Sequence, residues 1–202
     1  MSINKLQKRG MKNLNKEYRS MTFENNENDE GHFVEGYAAV FEQPTVLYSF
    51  DGVDYYEVID RHAFDSADLS DVPFKYNHND GCMVVARTRN KSLQLEVDNH
   101  GLKVRAKLAN TTAGNDMYES IRSGLLDKMS FAFTVQEDSY DQLTRTRRIL
   151  KIDKVYDVSA VDIPAYDGTE LEARSADFFI NQIKKEDEVK LKRKRLLLLS
   201  EL

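Results

Sequence analysis

The chain has 202 residues, 29 Lys and Arg against 34 Asp and Glu, 41% hydrophobic residues and one cysteine. That suits one domain of ordinary size with tails, and it excludes an internal disulfide and a cysteine-built zinc or iron–sulfur centre. The net charge of −5 hides an asymmetry, because residues 1–19 carry six basic side chains against one acid, residues 184–202 carry seven against four, and the middle, 20–183, is left at −13. So acidic a body argues against duplex nucleic acid as a partner, and no run of about 18 apolar residues exists to span a membrane. The first ten residues lack the apolar run of a signal peptide, so a cytoplasmic protein is expected.

Residues 1–30 are rich in Lys, Asn and Glu and end in the polar run Glu24-Asn-Asn-Glu-Asn-Asp-Glu30, which predicts a flexible arm. Structure is expected to begin near His32, with a mostly apolar strand from Phe33 to Phe41 and shorter strands over Val46 to Tyr48 and Tyr55 to Ile59 around a turn at Asp51-Gly52. If Val72 to His78 is extended, Val72, Phe74, Tyr76 and His78 share one face, and His78 ends an apolar row. A hairpin follows: Leu93, Leu95 and Val97 alternate with polar residues, Asp98-Asn-His-Gly101 makes the turn, and Leu102, Val104, Ala106 and Leu108 alternate again. One helix is predicted after Asn115 as N-cap, with Met117, Tyr118, Ile121 and Leu125 on one stripe and Gly124 as its stop.

Lys128 to Val135 reads as a strand with bulky Met129, Phe131, Phe133 and Val135 toward the core and small Ser130, Ala132 and Thr134 on the other, open face. A turn through Glu137 to Asp141 then returns along Thr146 to Ile152, and a last strand, Lys154 to Val161, is stopped before Pro164. From Ser175 onward a charge-dense stretch with Phe178, Phe179, Ile183, Val189 and Leu191 predicts a helical tail over 176–202. Many short strands with one or two helices and no alternation of strand and helix predict a mainly β, α+β domain over 31–175, a barrel or sandwich with added helices.

Four histidines are candidates for acid–base work. His32, His62 and His100 sit at a strand start, in a polar loop and in a hairpin turn, whereas His78 ends an apolar row and opens the loop Asn77-His-Asn-Asp-Gly81, where a ring is enclosed yet reachable. Ser130 lies on the small-residue face of a strand, and a serine needs a base within hydrogen-bond reach to become a nucleophile. A carboxylate that orients the imidazole would complete the set. Asp157 suits it, with Val155, Ser159 and Val161 on its face of an extended strand, and Asp153 and Asp162 are its rivals. Cys82, four residues after His78, is placed too close along the chain for a dependable Cys–His pair, and no His-x-x-x-His or similar ligand pair points to a metal or other cofactor.

Taken in order, these segments resemble the prohead maturation serine proteases of tailed phages, themselves distantly similar to the herpesvirus assemblins. The resemblance runs from about Phe33 to Ser175: Glu35-Gly-Tyr-Ala-Ala-Val-Phe41, Glu57-Val-Ile-Asp-Arg-His-Ala-Phe64, Tyr76-Asn-His-Asn79 followed by Ala86-Arg-Thr88, Asp116 to Gly124 with Met129-Ser-Phe-Ala-Phe133, and Tyr156-Asp-Val-Ser-Ala-Val161 with Pro164-Ala165. Ala86 stands where Gly is frequent in such proteins, and Asp157 where many have Glu.

The resemblance implies a closed β-barrel ringed by helices, with His78 as general base, Ser130 as nucleophile and Asp157 as third member. It implies a serine endopeptidase that processes scaffold and major capsid protein, and its own ends, inside the assembling prohead in the host cytoplasm, with homodimerisation as a possible mode of activation. No cofactor, nucleic acid or membrane enters that reading. The alternative is a capsid-assembly or scaffolding protein that keeps the protease-like barrel without activity.

Overall fold

A computed structural model of the chain describes residues 17–24, 31–162 and 172–200. Two long strands, β9 (Lys128–Asp141) and β10 (Thr146–Val161), form the antiparallel hairpin on which the domain is built. Arg145 takes a left-handed φ of 52° in its turn, and the Asp141 carboxylate accepts the backbone N–H of Leu143 at 2.8 Å. β10 is therefore one strand where the sequence reading expects two. Register shifts between Ile149 and Asp157 let it bend without ending.

Around this hairpin the strands order as β3 (Thr45–Phe50), β4 (Val53–Ile59), β10, β9, β1 (Glu17–Glu24), β2 (Phe33–Val40), β8 (Gly101–Lys107) and β7 (Leu93–Val97). The short strand β5 (Pro73–Tyr76) pairs in parallel with the end of β10 and antiparallel with β6 (Ala86–Arg87), so the free side of β10 is covered by β4 and then by β5. The arm expected over 1–30 is corrected at 17–24, which pair with β9 and β2; the rest of that stretch lies outside the described residues.

The closed barrel is not formed by the described strands. Their order is an open path from β3 to β7, and β6 is only two residues long, so its pairing with β5 stops before it reaches β8. One backbone bond, Ala109 N–H to Val85 C=O at 2.8 Å, ties the segment after β8 to the one before β6.

The core lies against the bulky face of β9. Phe131 and Phe133 stack with centroids 4.6 Å apart, Phe64 packs on Phe131, and Val72, Phe74, Ile149, Ile152 and Val155 complete the cluster. The opposite face of β9 is also covered: Ser130 and Ala132 are buried, which corrects the open face expected of it.

The helix α1 (Thr112–Arg122) closes one side of the core with Met117 and Ile121. Its N-cap is Thr111, whose hydroxyl accepts the Gly114 N–H at 3.2 Å, rather than Asn115, and Gly124 at φ 76° follows its end as expected. The helix α2 (Glu172–Ser200) carries the predicted tail, starting four residues sooner, and buries Phe179 against Leu47 and Tyr55. Among the described residues no helix is long and apolar enough to cross a membrane.

Two outcomes follow from this packing. A Cβ on Gly101 would fall 1.9 Å from the Ala39 carbonyl oxygen, so G101A should force the β2–β8 backbones apart, cost about 1–3 kcal/mol and lower the melting temperature by roughly 3–10 °C in calorimetry. The Asp60 carboxyl is held below its ordinary range by the His62 backbone N–H, against the opposing effect of burial, and by Arg148, which also holds Glu42. A lowered folded-state value contributes stability above the unfolded value, near 4, and loses it as pH falls through the folded one. The urea midpoint of D60N should therefore lie below that of the wild type at pH 6, with the gap closing as the pH drops below about 4.

Candidate active site

β5 ends at Tyr76, two residues short of His78, where the sequence suggests that the apolar row ends. Asn77 and His78 take left-handed φ values of 48° and 53°, which turn the imidazole out of the Phe74–Tyr76 line. Such backbone is unfavourable for a residue with a Cβ, so something must hold it. The Asn77 N–H donates to the Ala160 carbonyl at 2.9 Å and the His78 N–H to the Ser159 hydroxyl at 3.2 Å. The Asn77 side chain donates to Asp162 at 2.8 Å and accepts the Asp162 backbone N–H at 3.2 Å. Tyr76 also donates to Asp162, at 2.8 Å, and that carboxylate pushes the phenol above its usual range.

Opposite this loop the pairing of β9 with β10 sets which side chains meet. Ser130 lies opposite Ser159, and Ala132 opposite Asp157, whereas Val155 lies opposite Phe133. Directly paired residues share a face, so Ser130, Ser159 and Asp157 project to one side and Val155 to the core. Tyr156 is the extra residue of a bulge between Val155 and Asp157. The uninterrupted alternation expected for this strand, with Val155 beside Asp157, is thereby corrected.

The result is a continuous line of three side chains. His78 Nε2 lies 2.8 Å from Ser130 Oγ, and His78 Nδ1 lies 2.5 Å from Asp157 Oδ1. An ionised carboxylate only accepts, so its contact assigns the ring proton to Nδ1 and leaves Nε2 as the acceptor for the serine hydroxyl. The side chains of His78 and Asp157 are 6% and 4% exposed, and Ser130 is 2% exposed. Charge interactions in such a place are weakly screened.

Two further residues, which the sequence reading did not single out, hold the carboxylate. The buried Ser159 hydroxyl donates to Asp157 Oδ1 at 3.0 Å while accepting the His78 N–H, so it ties acid and loop together. Lys75 Nζ stands 4.0 Å from Asp157 Oδ2 and 2.5 Å from Asp80 Oδ1. Lys75 pairs with Ser159 across β5 and β10, which places it on the same face. Two signals were available in the sequence: Ser159 stands two positions from Asp157 on a strand, and Lys75 stands three positions before the histidine.

The other candidates are elsewhere. Asp162 is engaged with Tyr76 and Asn77, and Asp153 accepts from Thr134 at 3.4 Å. His32 stacks on Tyr118, His62 faces Asp65 at 3.1 Å in the open, and His100 meets Tyr37 edge-on. Cys82 is a free, half-buried thiol in the loop beyond His78. Among the described residues no group of three or more His, Cys, Asp or Glu is placed to hold a metal ion.

Comparison with known proteins bears on the family of the chain. No curated protein matches the sequence. Among solved structures, the capsid assembly protease of bacteriophage T4 is similar with a TM-score of 0.46 and 12% identity, covering 72% of this chain and 98% of that one. That likeness is too loose to bear on the site. Residues 19–184 match the family model described as caudovirus prohead serine protease, a span that contains every strand from β2 to β10, α1 and the Ser130–His78–Asp157 line; the chain belongs to this family.

Proposed function

We propose that the chain is a serine endopeptidase of prohead maturation in which Ser130 is the nucleophile, His78 the general base and Asp157 the carboxylate that orients and charge-balances the imidazole. The observation that carries this reading is the unbroken contact from Ser130 Oγ through His78 Nε2 and Nδ1 to Asp157 Oδ1. Ser130 Oγ attacks the scissile carbonyl carbon while its proton passes to His78 Nε2, giving a tetrahedral oxyanion and an imidazolium beside the Asp157 carboxylate. Collapse breaks the C–N bond, and Nε2–H protonates the leaving amine. Water, deprotonated by the same nitrogen, then releases the acyl group from Ser130.

The frame around Asp157 supports the reading. Developing positive charge on the ring is stabilised by a carboxylate that Ser159 and the loop hold in place. The substrates in this reading are segments of scaffold and capsid protein, and the ends of the chain itself, cut inside the prohead in the host cytoplasm. A second reading, a capsid-assembly protein with an inactive protease-like domain, draws on one observation: Ser130 is 2% exposed, which limits access to its hydroxyl. A serine-directed phosphonate separates the two, since labelling at Ser130 belongs to an enzyme and no labelling at any pH to the inactive protein.

Co-expressed with scaffold protein, S130A should stay folded and lose processing by at least about a thousandfold, read by intact-mass spectrometry of both chains. Normal processing by that variant would overturn the assignment. S159A removes the buried hydroxyl that accepts the His78 N–H and donates to Asp157, so it should cost about 1–3 kcal/mol of stability by urea denaturation and lower kcat more than it raises KM.

A further inference from the structure

The loop after His78 and the segment before Ser130 also come together away from the Ser130–His78 contact itself. Between them and α1 lies a groove of about 470 Å3, a size in the range of peptide and small-ligand sites. Its walls are apolar: Met83 and Val85 come from the loop that follows His78, Met117 from α1, and Leu125 and Leu126 from the turn that leads into β9. Its rim carries two carboxylates, Asp116 and Asp162.

Two features set this groove apart from ordinary core. Met83 is 64% exposed and Leu125 76% exposed, so large apolar side chains that line one concavity stand in solvent. Its wall is also joined to the candidate active site, because Asp162 holds Asn77, the residue before His78, and Val161 next to it pairs with Lys128, two residues from Ser130. Two residues of strand are about 7 Å. A polypeptide whose scissile bond lay on Ser130 would reach the groove within a few of its own residues.

We propose that this groove is a specificity subsite that takes a bulky aliphatic side chain, such as Leu or Met, of the substrate polypeptide, and that its rim carboxylates turn acidic side chains away. It rests on the protease reading above and adds to it a selection rule. A largely apolar wall, whose Tyr76 and Ser120 hydroxyls already donate to Asp162 and to the Asp116 carbonyl, favours burial of hydrocarbon over hydrogen-bonding groups. Anionic side chains would lose hydration beside Asp116 and Asp162.

The test has two arms on the full chain. In the first, the wild type digests a proteome-derived peptide library, and cut sites should show Leu or Met enriched, and Asp and Glu depleted, at one fixed position. The S120F variant, which projects a ring into the groove from α1, should lower kcat/KM for such peptides at least about tenfold and shift the preference to small side chains. In the second, the uncut S130A chain is titrated with synthetic peptides carrying Leu, Ala or Asp at that position, or at the centre when no cut is found. The Met83 and Met117 methyl resonances should move with Leu alone.

Cutting without a positional preference, or with a preference that S120F leaves unchanged, overturns the groove and leaves the protease reading standing. If nothing is cut but the Leu peptide still moves the two methyls, the protease reading falls and an apolar peptide site remains. Methyl shifts that follow protein concentration without peptide would assign the groove to a second copy of the chain and overturn the proposal. So would an S120F variant that folds and binds the Leu peptide as the wild type does; if S120F does not fold, the methyl titration decides alone.

Discussion

The site depends on one irregularity of pairing, the extra residue Tyr156 in β10. Strict alternation would put Val155 and Asp157 on the same side. With Val155 opposite Phe133, that side is the aromatic core, and Asp157 would lie among Phe131, Phe133 and Ile152 with nothing to satisfy its charge. A lone ionised carboxylate there is prohibitively costly. The bulge sends Val155 inward and Asp157 outward in consecutive steps, beside Ser130 and Ser159. Because β5 pairs with the stretch of β10 just past the bulge, the same register also fixes where the histidine loop begins.

Charge is handled differently at the two ends of the β9–β10 hairpin. Near its turn, buried Arg147 meets Glu57 and Asp138, a cation shared between two acids that packs the distal half of the sheet. Near the site, Asp157 has His78 and Ser159 on one oxygen and Lys75 beyond the other, at 4.0 Å. The first arrangement is a closed ion pair, of the kind that hydrocarbon of equal volume could often replace without loss. The second sets an imidazole between an acid and a hydroxyl, an arrangement with no packing reason to exist. That contrast separates structural from chemical polarity in the same hairpin.

Where the sequence alternates over many residues, its reading and the structure coincide. The β7–β8 hairpin, the bulky face of β9 and the α1 stripe through Met117, Tyr118 and Ile121 were legible because hydrophobic period is a repeated signal, whereas Leu125, expected on that stripe, lies past the helix end and is exposed. Single-residue events were not. The Tyr156 bulge leaves no trace in composition, and Thr111 caps α1 in place of Asn115 because the run Thr-Thr-Ala-Gly-Asn offers several side chains able to cap. β1 escaped notice for another reason: Glu17 to Glu24 is too polar to look like a strand by itself and is defined by pairing on both sides. His78, Ser130 and Asp157 were each nameable, but which of three nearby acids faces the ring depends on face and register, and those are tertiary facts.

The left-handed pair Asn77–His78 explains why the loop carries so many hydrogen bonds. Each such residue costs on the order of 1–2 kcal/mol in backbone strain. Against it stand the Asn77 N–H bond to Ala160, the His78 N–H bond to Ser159 and the two-way bond between Asn77 and Asp162, which Tyr76 fixes from the other side. The His78 backbone is therefore held by bonds other than those its ring makes to Ser130 and Asp157. In the proposed mechanism, a base whose backbone is held in advance loses little freedom when it takes a proton. The same clamp uses Asp162, on the rim of the apolar groove, so whatever fills that groove meets an edge held by the residues that position the His78 loop.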